Sequence, residues 1–260
     1  MQDSTMSAMF GAMSNEIRMN QIANNLANVN TNAYKKERVA FHDTFVRFAH
    51  DYVVDSKGYL NDKEMWPKAS IIGKPRLSEQ RTDFSQGHMK DTGNQLDFAL
   101  QGEGFFKVRT PDGDFLTRDG AFSLTNDGRL ITPRGFEVLG EGGPITIPPG
   151  AQVEVNSSGQ IMADGQSLGS FQLTDVDQKE FLKKSGNNLF QIDPESNARE
   201  IAPTDLSVEQ GYVEAGNVEV VTEMVAMIET QRSFEMYTKI MQGTAELDQK
   251  VTAQVGSVTG

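Results

Sequence analysis

The residues able to do chemistry are few, and each set is better explained by backbone geometry. Gly102-Glu103-Gly104 pairs two glycines as a phosphate-cradling loop does. A dinucleotide fingerprint needs a third glycine and a helix behind it. Here a strand-like run follows at Phe105-Phe106. Asp112-Gly113-Asp114 has the opening of a calcium loop but lacks the bidentate glutamate at the required distance. A hairpin turn accounts for it. His42, His50 and His88 are scattered without ligand spacing. His-Glu-x-x-His does not occur. With no cysteine there is no disulfide, thiolate site or Cys nucleophile. The 36 Asp and Glu residues could supply a glycosidase pair, but nothing in the order of residues brings two across a cleft. The expectation is therefore no enzyme, no metal and no cofactor. A net charge of −12 also argues against nucleic acid, whose phosphates need a basic surface.

What remains distinctive is amides and apolar stripes, and these imply specific elements. Asn24 to Asn32 contains five asparagines in nine residues. Asparagine competes for backbone hydrogen bonds, so such a run ends a helix. Upstream, Met6, Met9, Phe10, Met13 and Ile17 recur at helical spacing, predicting helix from about Ser4 to Val29 with Ser4 or Thr5 as N-cap. Met19, Ile22, Leu26 and Val29 form a second stripe, out of phase with the first. Asn20, Asn24 and Asn28 share a further face. That amide face is either solvated or a register-setting contact with neighbouring helices. Residues 34–76 read as an extended or loop-like connection, in which Phe41, Phe45 and Phe48 could continue a short helix.

From 77 to 211 the apolar period becomes two, as in Phe106 and Val108 or Phe136 and Val138. Asp112-Gly113, Asp127-Gly128, Ser158-Gly159 and Asp164-Gly165 punctuate it as tight turns. This predicts an antiparallel β domain. After Gly216 the helical period returns. Val220, Met224, Met227, Gln231, Phe234, Thr238, Met241 and Ala245 alternate by four and three. A 3.5-residue period favours supercoiling against another helix. The fold class is thus α+β. Residues 1–33 and 212–260 supply terminal helices that pair as a coiled-coil-like domain, and a central antiparallel β domain lies between them.

Two blocks at the chain ends and one in the middle resemble the bacterial flagellar rod and hook proteins. Asn24-Asn25-Leu26-Ala27-Asn28-Val29-Asn30-Thr31 followed by Tyr34-Lys35 is similar to that family's N-terminal signature. Gly102 to Phe106 and Thr117-Arg118-Asp119-Gly120-Ala121-Phe122 are similar to its β domain. Gly211-Tyr212-Val213-Glu214, Gly216-Asn217-Val218, Glu223-Met224-Val225 and Gln231-Arg232 with Phe234-Glu235 are similar to its C-terminal signature. One departure stands out: the family usually has glycine before the aromatic, where this chain has Ala33. The expectation is that Asn32 supplies the left-handed turn instead.

The resemblance implies a structural subunit of the flagellar basal-body rod, its terminal helices forming an inner tube and its β domain the outer wall. Repeating a non-closing head-to-tail contact would build the helical filament. Phe234-Glu235-Met236 resembles a proximal slightly more than a distal rod protein, while the overall length and the extended segment after the first helix also suit the distal rod. Candidate assembly residues are Asn24, Asn25, Leu26, Asn28, Thr31, Asn217, Val218, Met224, Met227, Gln231, Phe234 and Met241. Implied partners are further copies, other rod and hook-basal-body proteins and the flagellar export apparatus. No apolar run is long enough to span a membrane. The first residues lack a basic segment and a continuous apolar stretch, so export to the periplasmic basal body without a cleaved signal peptide is expected. Two other classes are a secreted or surface carbohydrate-binding β module and a carboxylate-dependent hydrolase. A β module has no use for paired terminal stripes, and a hydrolase should keep its turnover without them.

Overall fold

A computed structural model describes residues 2–47 and 71–258. Helix α1 runs Gln2–Ala27 and helix α2 runs Val220–Val258. The asparagine run does end α1, at Ala27. Its start lies before the expected cap, so Ser4 and Thr5 are helical residues. Residues Glu37–Arg47 and Ile71–Thr82 are strands that pair with each other. Phe41 and Phe45 therefore sit on a strand and not on a continued helix. The branched and aromatic residues Val39, Phe41, Thr44, Phe45 and Val46 favour that outcome. Phe48 and His50 lie outside the described residues.

The chain divides into two compact units. One contains Met1–Ala23, Val39–Gln80 and Met224–Gly260. Within it Thr5 Oγ1 donates to Thr244 Oγ1 at 3.3 Å. The ring of Tyr237 covers Gly11, where a Cβ would lie 2.5 Å from Tyr237 Cε1. These two contacts run α1 and α2 in opposite directions.

The other unit, Asn24–Arg38 with Arg81–Glu223, contains the β domain. Its largest sheet has ten strands, centred on Phe105–Thr110 and Gly113–Thr117, and every pairing in it is antiparallel. All four expected dipeptides sit at strand reversals. At Asp164-Gly165 both residues have positive φ, 49° and 79°, as a two-residue hairpin requires. Phe98, Phe106, Phe122 and Phe171 meet edge-on or tilted in one core cluster. Phe105, Leu116, Val176, Leu182 and Phe190 form a second. The glycines of Gly102-Glu103-Gly104 serve close approach: a Cβ on Gly102 would lie 2.0 Å from the Asp205 carbonyl oxygen. Among the described residues no helix is long and apolar enough to cross a membrane.

Candidate assembly junction

The chain leaves α1 through a turn that its own signature residues build. Asn25 is 2% exposed, and its Nδ2 reaches Glu223 Oε2 at 3.5 Å as well as partners in the exit turn. Its Nδ2 donates to the Glu37 carbonyl at 3.1 Å, and its Oδ1 accepts from Glu37 N at 3.1 Å and the Tyr34 hydroxyl at 3.2 Å. The same hydroxyl proton is shared with Asn24 Oδ1, at 2.9 Å. Asn28 Nδ2 donates to the Asn24 carbonyl at 2.9 Å, and Thr31 Oγ1 donates to Asn28 Oδ1 at 3.3 Å. Asn24 is exposed and Asn28 half-buried. The buried amide is thus Asn25, one residue off the Asn20–Asn24–Asn28 face. Burial, with Glu37 and Glu223 nearby, pushes the Tyr34 phenol up to about 12, so it stays a donor.

Ala33, not Asn32, takes the left-handed conformation, with φ of 55°. It is wholly buried, and its N–H donates to the Glu214 carbonyl at 2.7 Å. That bond fixes the turn at this residue, which corrects the expectation for Asn32.

Lys35 then enters the interior. Its ammonium lies 2.7 Å from Glu214 Oε1, with both side chains fully buried. It also donates to the Ser85 carbonyl at 2.7 Å. Arg118 approaches Glu214 Oε2 at 3.4 Å from the other side, and donates to the carbonyls of Gly102 at 2.6 Å and Leu100 at 3.3 Å. Gly87 N–H completes the shell, donating to Glu214 Oε1 at 2.8 Å. Burial pulls the Lys35 ammonium below its ordinary value, and Glu214 opposes that. One carboxylate thus faces two cations in a dry site, which only dense hydrogen bonding makes tolerable. Arg118 Nε is left buried without a partner.

Asn217 secures the other chain end. Its Oδ1 accepts from Lys36 N at 2.7 Å, and its Nδ2 donates to the Asp83 carbonyl at 2.8 Å. Val218 is buried beside it in sequence. The structure therefore gathers Asn24, Asn25, Leu26, Asn28, Thr31, Asn217 and Val218 in the β-containing unit. Met224, Met227, Gln231, Phe234 and Met241 lie along α2 in the other unit. Of these Met224 and Gln231 are exposed, and Met227, Phe234 and Met241 half-buried.

Lys35, Arg118 and Glu214 were not among the candidate residues read from sequence. The signal that could have found them is phase. Glu214 closes the strand Tyr212–Glu214 next to the buried Val213, and Arg118 follows the strand Gly113–Thr117 just after the buried Leu116 and Thr117.

The buried ionic centre of Lys35, Arg118 and Glu214 thus ties the segment that leaves α1 and the strand that precedes α2 into the β-containing unit. Residues 99–163 match the flagellar hook protein FlgE/F/G D1 domain, and residues 209–255 match the flagellar basal body rod FlgEFG protein C-terminal region. The chain is 33% identical over 250 residues to the flagellar basal-body rod protein FlgG of Agrobacterium fabrum, covering 91% of this chain and 93% of that one. It is 33% identical over 260 residues to the rod protein FlgF of Mesorhizobium japonicum, covering 99% of each. It is 32% identical over 259 residues to FlgG of Bacillus subtilis, covering 94% of this chain and 96% of that one. The chain belongs to the flagellar basal-body rod protein family and is a structural subunit of the rod.

Proposed function

We propose that this subunit polymerises with further copies through its terminal helices, which pair as a coiled-coil-like domain, to form a torque-carrying section of the rod. The observation that carries the reading is apolar surface left open on one chain. On α1, Met6, Met9 and Met13 are 40%, 44% and 50% exposed. On α2, Val221, Met224, Val225, Ile228 and Met236 are between 49% and 70% exposed. Such stripes on long helices are interaction surfaces, and repeating the subunit around an axis would cover them. The residues of the α2 stripe, from Met224 through Phe234 to Met241, are its assembly contacts. The amides at Asn24 to Asn28 fix the angle at which α1 enters the assembly. The subunit reaches the periplasmic basal body through the flagellar export apparatus, without a cleaved signal peptide, and works by load-bearing without catalysis. Phe234-Glu235-Met236 supports a proximal position.

The test is Met224→Asp in a strain lacking the native protein. Met224 is half exposed on the single chain, so the subunit should fold and its β unit should melt as before. A charge in a helix seam is heavily penalised, so basal bodies seen by electron microscopy should lack complete rods. Complete rods and normal swimming would overturn the reading.

A further inference from the structure

The chain has 12 methionines and no cysteine. With no thiol present, the thioether sulfurs are its most readily oxidised side-chain atoms. They are unevenly placed. Met6, Met9, Met13 and Met19 lie on α1, and Met224, Met227, Met236 and Met241 on α2. Among the described residues the exposed methionines are Met6, Met9, Met13, Met224 and Met236, each between 40% and 62% exposed. All five belong to the same compact unit. Met89 and Met162, in the β-containing unit, are only half-exposed, and Met89 Sδ accepts from Gln86 Nε2 at 3.7 Å.

The hydroxyls of these helices are already used. Ser14, Thr230, Ser233, Thr238 and Thr244 each donate to the carbonyl four residues back on their own helix. An unmodified thioether needs no donor and packs adaptably against a neighbour. A sulfoxide oxygen carried into the same seam would find these donors spent, and a polar atom buried without a partner is penalised.

We propose that the thioethers of Met6, Met9, Met13, Met224 and Met236 are a modification site for hydroperoxides, and that oxidation there withholds a subunit from assembly. The proposal rests on the self-association read above. The sulfur attacks one peroxide oxygen, so an S–O bond forms as the O–O bond breaks. The other oxygen leaves with the proton of the transferred one, as water from hydrogen peroxide. Sulfur loses two electrons and the peroxide gains them. Methionine sulfoxide is returned to the thioether by dedicated reductases, so a withheld subunit is recovered. Only the unassembled chain is open to the reaction, because a seam that covers the stripes also covers the sulfurs.

The experiment uses cells that lack the native protein and express the full chain, given sublethal hydrogen peroxide while basal bodies are being built. Mass spectrometry reads the sulfoxide at each methionine in the unassembled pool and in purified basal bodies. The pool should carry sulfoxide at the five helix positions well ahead of Met89 and Met162. Basal bodies should hold about tenfold less at those five, the ratio that one polar group penalised by burial produces. No sulfoxide in the pool, equal sulfoxide in pool and basal bodies, or oxidation of Met89 and Met162 as fast as the five would overturn the proposal. A second measurement replaces the five methionines by leucine, which nearly conserves volume. Under peroxide, wild-type rod completion should fall severalfold while the leucine variant holds its own, and an equal fall in both would also overturn it. Should the leucines themselves stop assembly, the sulfoxide ratio of the wild type decides alone. The rod reading is judged separately, by whether Met224→Asp cells complete their rods without peroxide.

Discussion

At the scale of single residues, Glu214 is the centre of the junction. Removing its charge leaves Lys35 and Arg118 buried against each other's field. Breaking a buried pair from one side typically costs about 3–5 kcal/mol, so Glu214→Gln should lower the urea midpoint of the β unit sharply. The exposed pair of Arg109 and Asp114, at 2.9 Å, should behave differently, because solvent screens it. Asp114→Asn should leave the midpoint unmoved, and equal losses from the two variants would refute the ranking. Ala33 is a second residue-scale case. A non-glycine residue at positive φ carries a strain of about 1–2 kcal/mol. Ala33→Gly relieves it but gives up a buried methyl worth about 0.8 kcal/mol. The net expectation is a small gain, read as a rise in melting temperature of a few degrees. Asp119 sets a pH dependence. Its carboxyl binds its proton more tightly folded than unfolded, at about 6 against an ordinary 3.8. It therefore adds stability below about pH 4 that is lost as pH rises toward 6. The loss is on the order of 2 kcal/mol. Denaturation of wild type and Asp119→Asn at pH 4 and pH 7 should show the difference between them shifting toward the variant at pH 7.

At the scale of elements, the turns and helices were legible because their causes are local. Aspartate or serine followed by glycine specifies a reversal whatever surrounds it, and the four-three spacing from Val220 to Ala245 specifies a helix. The strand Glu37–Arg47 was not legible, since its partner, Ile71–Thr82, lies far along the chain. Its phenylalanines at 41 and 45 fit a helix as well as a strand. The left-handed turn was read one residue early for a related reason. Asparagine's tolerance of positive φ is local, while Ala33 is held by a bond to Glu214, 181 residues on. Helix packing gives a prediction at this scale. Gly11 lies under Tyr237, with Cβ space of only 2.5 Å. Gly11→Val should gain helix propensity but force the ring aside, and overpacking of this kind costs about 1–3 kcal/mol. The helical signal at 222 nm should melt earlier while the β unit's transition stays in place. A single transition moving as one would show that the two units do not unfold independently.

At the scale of the whole molecule, the sequence places the boundaries of the β domain at Leu77 and Gly211, where the period-two pattern begins and ends. Asn24–Arg38 belongs to the same compact unit as Arg81–Glu223. Pattern could not show this, because what joins them is a charge cluster and a set of amides, not an apolar period. Lys35 and Glu214 close a loop of nearly the whole β domain, and closure entropy grows only slowly with loop length. One buried cluster can thus hold both ends. The difference is measurable by limited proteolysis followed by mass spectrometry of the folded product. If pattern alone set the boundary, trimming would run inward to about residues 77 and 211. With the junction in place, the N-terminal peptide carrying Asn25, Tyr34 and Lys35 should stay bound, and C-terminal trimming should stop beyond Asn217, near Glu223. The same digestion of Glu214→Gln separates the causes. That variant keeps every apolar contact in the two core clusters and loses only the ionic centre, so it should release the Lys35 peptide while the strands from Phe98 to Gln210 remain protected. Retention of the peptide in both proteins would mean that the amides of Asn25 and Asn217 hold the ends without the charges. Its loss from both would mean that neither holds them once α1 is cut.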